Sequence, residues 1–220
     1  MVDLADRAAR EAALARRLGK AMSEARKLLL QAVEDGVVDE NEWRAIAEVF
    51  TQVLQVQLEQ TAVAAGMAAS EALGGLVDSA TLHQSAIAWA RQATFELVSN
   101  LDARNRELLQ ATIEDYFSQR LTIADVEARL TQAFGPSRAS TIAVTETTNA
   151  PSASEQAFAR ELAQMGLQPV LVINNAADDR VCPICGPLGG KTVEEAGGLT
   201  PSFHPNCRCW LSTELREATR

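Results

Sequence analysis

Aromatic residues are scarce in this chain: three Trp, one Tyr and six Phe among 220 residues. With so few large rings to fill a core, its Ala-rich helices are suited to close packing within an assembly, and part of their apolar stripe is expected to be covered only by a partner. Long apolar runs are missing too. No stretch approaches the roughly 20 uninterrupted apolar residues that cross a bilayer, so no membrane contact is expected. The opening MVDLADRAAREAALARRLGKAM lacks the apolar core and small-residue cleavage site of a secretory leader. These absences predict a soluble protein of the host cytoplasm. Histidine occurs twice, at His83 and His204, and cysteine is absent before Cys182.

Basic charge is in short supply. The formal net charge is -9, and only residues 1–30 carry more Lys and Arg than Asp and Glu, 7 against 4. Duplex-DNA binders draw most of their affinity from a basic face that releases counterions, so the acidic balance argues against a strong one. A weak DNA contact through Arg7, Arg10, Arg16, Arg17, Lys20, Arg26 and Lys27 is the alternative to a solvated helix face, which is the preferred reading of that segment.

Helix formers dominate what is present. Apolar residues recur at three- and four-residue spacing from Leu4 to about Val33, and the turn dipeptide Asp35-Gly36 ends that helix. A second helix is expected from about Asp39, with Asp39 and Glu42 as its capping pair, to just before Gly74-Gly75. Further helices are predicted over Thr81–Val98, from an Asn100 or Asp102 cap to Arg120, from a Thr122 cap to Phe134, and from Ser137 to Gly166, the last kinked or broken at Pro151. After Gly166 the β-branched run PVLVINN changes the pattern. Strands are expected at Val170–Asn174, around Lys191–Val193 and over Arg208–Ser212. The fold class is α+β: a mostly helical N-terminal part followed by a small zinc-stapled β unit. Residues 1–78 form a helical hairpin region that docks a partner, residues 79–220 form an α+β domain, and the zinc module covers 168–213.

The segment from Asp178 to Leu211 carries the most specific chemistry. Cys182 and Cys185 have the C-x-x-C spacing that lets two thiolates converge on one ion from a tight turn. His204 and Cys207 repeat the two-residue gap, and Cys209 is a fifth donor. If Arg208 lies in a strand, Cys207 and Cys209 point the same way, so either can be the fourth ligand. Four protein ligands close a tetrahedral site, which makes the expected Zn2+ structural. Disulfides are disfavoured in a reducing compartment.

Catalytic alternatives lack parts. A nucleobase deaminase needs an upstream H-x-E beside its cysteines, and His83 is followed by Gln84 and Ser85. A Cys207 or Cys209 nucleophile paired with His204 would use the atoms that the metal occupies. The stretch Asp35, Gly36, Val38, Asp39, Glu42 resembles the back of an EF-hand loop, but Gln31 and Val33 stand where the front needs acids, so a plain helix corner is expected. Glu146, in the Thr-Glu-Thr-Thr run, has no second carboxylate within a turn. A structural role is expected, with Glu146 pairing to Arg180 or Arg208. No enzyme activity and no small-molecule substrate are expected; a zinc-dependent toxin or enzyme and a DNA-binding module are the competing readings.

The blocks RASTIAVTETTNA, DDRVCPIC, LGGKTV and HPNCRCWL, in that order over about Trp89–Thr213, resemble the C-terminal domain of the phage Mu protein-F-like (SPP1-type) head-morphogenesis family. The resemblance implies a minor capsid protein of a tailed phage or prophage, associated with portal or capsid proteins in the virion interior. It would place the family's Thr-Glu-Thr block on Thr145, Glu146 and Thr147, and its metal-type residues on Cys182, Cys185, His204, Cys207 and Cys209. Two departures weigh against DNA contact: Val144 stands where relatives often carry a basic residue, and Pro151 lies in the helix behind the block. Only ten residues follow Trp210, so no appended toxin or enzyme domain is expected.

Overall fold

The computed structural model describes residues 4–36, 39–118, 120–175 and 181–216. Five α-helices come first: α1 (Leu4–Asp35), α2 (Glu40–Ala72), α3 (Ser79–Phe117), α4 (Ile123–Phe134) and α5 (Pro136–Gln164). Two strands follow, β1 (Pro169–Asn174) and β2 (Trp210–Leu215), with a short 3-10 turn at Gly186–Leu188 between them. The fold is α+β, as the sequence predicts.

Helix ends follow local chemistry. Gly36 takes a left-handed φ of 69° after α1, a conformation that costs glycine little. The Asp39 carboxylate accepts from the Asn41 amide at 2.7 Å and so caps α2. At its far end the Gly75 amide donates to the Ser70 carbonyl at 2.8 Å, in the bonding pattern that closes helices on a left-handed residue. Thr122 and Asp125 form the reciprocal capping box of α4. Val37 and Val38 lie outside the described residues. The Asp35 carboxylate accepts from Gln31 one turn back in α1, at 3.1 and 3.2 Å.

Four expectations need correction. The predicted break at Asn100 or Asp102 is absent, and α3 runs through both. Asp102 instead accepts from Arg106 at 3.0 Å, an i, i+4 pair that suits a helix interior, and no Gly or Pro interrupts the segment. Of the two outcomes expected at Pro151, the break is absent: α5 continues from Pro136, one residue before the predicted opening, to Gln164. Proline removes a single amide donor, and a long packed helix absorbs that loss. The strand expected at Lys191–Val193 shrinks to a bridge between Val172 and Thr192, its backbone bonds reaching β1 at Ile173 and Leu171. The last strand starts two residues later than expected and extends to Leu215, because it pairs with all of β1, from Pro169↔Leu215 to Asn174↔Trp210.

The chain divides into two compact units, each built from separate segments. One comprises residues 11–56 and 92–143. Its core holds Leu14, Leu18, Met22, Leu54, Leu109 and Leu130, all buried. Trp43 is buried there as well, with the Arg106 guanidinium 5.0 Å from its ring centroid and paired to Glu40 at 2.8 Å. The other unit comprises residues 1–10, 57–91 and 144–220, and it contains every cysteine and His204. Its helical core gathers Phe158, Leu162, Leu82, Val77 and Ala69, with Leu215 of β2 packed against them.

Candidate metal centre

The antiparallel ribbon β1–β2 brackets the connection 175–209, and that connection holds all the sulfur in the unit apart from methionine. Its described residues, 175 and 181–209, have almost no regular structure, so their turns decide where the side chains go. In the first turn the Cys185 and Gly186 amides donate to the Cys182 carbonyl at 3.1 and 2.9 Å. The Cys185 amide also lies 3.4 Å from the Cys182 sulfur. In the second, the Cys207 amide donates to the His204 carbonyl at 3.1 Å. Asn206 permits this turn with a left-handed φ of 62°, which asparagine tolerates better than most residues.

These turns bring the five donors together. Cys182, Cys185 and His204 present ligand atoms within 4.8 Å of one another, and so do Cys185, Cys207 and Cys209. Cys185 belongs to both sets. No set of four closes to that distance among the described residues. The Cys185 and Cys207 sulfurs are 3.8 Å apart, close to the about 3.8 Å edge of a tetrahedron with metal–sulfur bonds near 2.3 Å. That is far beyond a disulfide, and all four cysteines are free thiols. His204 Nδ1 donates to the Pro205 carbonyl at 2.8 Å. This bond orients the ring and leaves Nε2 as the ligand atom. Nε2 lies 3.1 Å from the Cys182 sulfur and 3.0 Å from that of Cys185. Around zinc that edge is about 3.5 Å, so the ring must back away slightly when an ion enters.

The thiols are electrostatically unequal. A hydrogen bond from Cys209 draws the Cys207 thiol down to about 5. The same bond, with burial, pushes Cys209 up. Burial foremost raises Cys185 to about 12. Cys182 is lowered, chiefly by the Cys185 amide, and the bond to Pro205 raises His204. Soft sulfur and imidazole donors, partly sealed from water by Val181 and Phe203, suit a thiophilic ion. The cluster can hold a metal ion.

Helix α5 buttresses the second turn. Thr145 Oγ1 accepts from the Asn206 amide at 3.1 Å, Thr148 Oγ1 donates to the Cys207 carbonyl at 2.5 Å, and Asn149 Oδ1 accepts from the Ser202 amide at 3.3 Å. The Thr-Glu-Thr-Thr-Asn run is therefore a bracket for the His-Pro-Asn-Cys run. Thr213 donates to the Glu155 carboxylate at 2.6 Å and ties β2 to the same helix.

Glu146 sits in this bracket, buried, and it accepts from Asn149 Nδ2 at 3.1 Å. It has no cationic partner among the described residues. The expected pairing with Arg208 is replaced by Asn149, while Arg180 lies outside the described residues. Burial holds the Glu146 carboxyl above its usual range, opposed by the Asn149 bond. A carboxyl raised in the folded state contributes stability that is full below its unfolded pKa and lost as pH rises through the folded value. Glu146→Gln keeps an acceptor for Asn149 and removes the buried charge. Its melting temperature is therefore expected to rise at neutral pH and to converge with that of the native chain in acid. A marked drop at neutral pH would reveal an ion pair instead.

Sequence reasoning placed Arg7 on a solvated face, and the structure corrects this: Arg7 is 6% exposed. It donates from Nη1 to the Arg208 carbonyl at 2.9 Å and from Nη2 to Thr148 Oγ1 at 2.6 Å. Nothing in its local spacing distinguishes it from Arg10, which pairs with Asp6 one turn back at 2.7 Å. Beside these residues lies a cleft of about 300 Å³ floored by Ala64, Ala65 and Ala68. None of the five metal-type residues lines it.

No protein-family model, curated protein or solved structure matches this chain.

Proposed function

We propose that the chain is a minor capsid or head-morphogenesis protein of a tailed phage or prophage, associating with portal or capsid proteins in the head interior, and that a structural Zn2+ staples its C-terminal module. The supporting observation is the contact between two sequence blocks that carry the family resemblance: Thr145, Thr148 and Asn149 of α5 hold the turn that presents His204 and Cys207. Blocks distant in sequence serve one site.

Cys182, Cys185, His204 and Cys207 are the proposed ligands, because the Cys207 sulfur stands a tetrahedral edge from that of Cys185. Cys209 then donates a hydrogen bond to the Cys207 sulfur from outside the shell. Bound there, zinc would supply cross-linking of two turns and no open coordination position for a substrate. The protein is accordingly proposed not to be an enzyme. Phe95, Phe117, Met67 and Leu76 stand exposed and offer apolar surface to protein partners. The net charge of -9 favours such partners over packaged DNA.

Inspection of the neighbouring genes for portal and scaffold proteins, followed by co-expression with the portal and major capsid proteins found there, tests the assignment. The expected result is co-sedimentation with procapsids, surviving high salt. A chain that remains in the supernatant, or whose gene has no portal or scaffold neighbours, would contradict it.

A further inference from the structure

We infer that Arg7 is a positioning residue for the metal centre, through which ion binding and the seating of the first turns of α1 are coupled. The inference rests on the metal reading above and extends it to a residue far away in sequence.

Arg7 is buried, and its contacts include the backbone of two residues at the metal centre. Nη1 reaches the Arg208 carbonyl at 2.9 Å, and Nη2 reaches the Cys207 carbonyl at 3.4 Å and Thr148 Oγ1 at 2.6 Å. The Thr148 hydroxyl in turn donates to that Cys207 carbonyl. A planar guanidinium thus holds the two peptide groups that flank Arg208, through the Cys207 and Arg208 carbonyls, while Thr148 fixes the first of them. This matters because the 204–209 segment is neither helix nor strand until Trp210, so its position depends on bonds from side chains outside it. Supporting bonds of this kind, one step behind the ligand atoms, orient the ligands and tune affinity.

Charge points the same way. An ion bound by three thiolates and one imidazole leaves the centre with net negative charge, and a buried cation against its backbone offsets it. Lysine cannot reproduce the arrangement, since a single ammonium does not span two carbonyls and a hydroxyl as a rigid fork does. Coupling between sites is reciprocal. If Arg7 steadies the Cys207 turn for metal, metal must steady Arg7 and the helical turn that carries it.

Amide hydrogen exchange on the full chain, with and without Zn2+, tests this. Zinc is expected to slow exchange at Ala8–Arg10 by at least about tenfold, along with slowing across Cys182–Cys209. In Arg7→Gln the slowing at Cys182–Cys209 persists, that at Ala8–Arg10 disappears, and zinc affinity measured against a competing chelator falls by about tenfold. Arg7→Lys, which keeps the charge, should recover only part of the affinity. Zinc protection confined to Cys182–Cys209 in the native chain would overturn the coupling and leave the metal centre standing. No zinc effect at either place would overturn both. The native-chain comparison decides the matter even if Arg7→Gln fails to fold.

Discussion

Cys185→Ser is expected to weaken metal binding by at least about a thousandfold and to leave residues 181–209 without fixed structure. The expectation follows from its place in the cluster. Cys185 is the one donor shared by both triads, and its sulfur lies 3.0 Å from His204 Nε2 and 3.8 Å from the Cys207 sulfur. A hydroxyl in its place is a poor ligand for a thiophilic ion, and no rearrangement within either triad restores a third sulfur or nitrogen. Loss of Cys209 is a different matter. Cys209→Ser keeps a hydrogen-bond donor beside Cys207 and leaves Cys182, Cys185, His204 and Cys207, so its affinity should stay within about tenfold of the native chain. Competition against a chromophoric chelator measures both. Equal losses for the two variants would mean that Cys209 is a ligand and Cys207 is not uniquely the fourth.

Phe158→Ala carries the second large effect, about 3–5 kcal/mol of lost stability. Phe158 is fully buried, together with Leu162, Leu82, Val77 and Ala69, and Leu215 packs against the cluster. A chain with so few aromatic residues has little to collapse into the space that the ring vacates, and alanine neighbours cannot swing inward to fill it. Urea unfolding followed by far-ultraviolet circular dichroism gives the difference. The contrast with Cys185→Ser is informative: the Phe158 variant should bind zinc while folded, but unfold at lower denaturant. A loss below about 1 kcal/mol would mean that this cluster relaxes freely and is not a core.

How much of this was legible beforehand depends on the range of the interaction. Caps and stops were readable because they act over three or four residues: Asp39, the Thr122–Asp125 box, Gly36 and Gly166 all stand at helix ends. The five metal-type residues were readable because C-x-x-C and H-x-x-C spacing reflects the geometry of single turns, and those turns form. Breaks inside helices were not. Asn100, Asp102 and Pro151 all favour an interruption locally, yet α3 and α5 pass through them, since packing along a long helix outweighs a propensity cost at one position. The strand at Lys191–Val193 was legible only in part: its backbone does reach β1 at Ile173 and Leu171, but the pairing amounts to a single bridge, Val172↔Thr192. Arg7 was the least readable residue. Its role depends on carbonyls some two hundred positions away, and carbonyls leave no mark in a sequence.

Elemental analysis of the full chain, purified without chelator and compared with its thiol titre, tests the central claim most directly. One zinc per chain, with the four cysteines shielded from a thiol reagent until the metal is stripped, is the predicted result. A metal-free chain whose cysteines all react at once, with no change in structure on adding zinc, would contradict it.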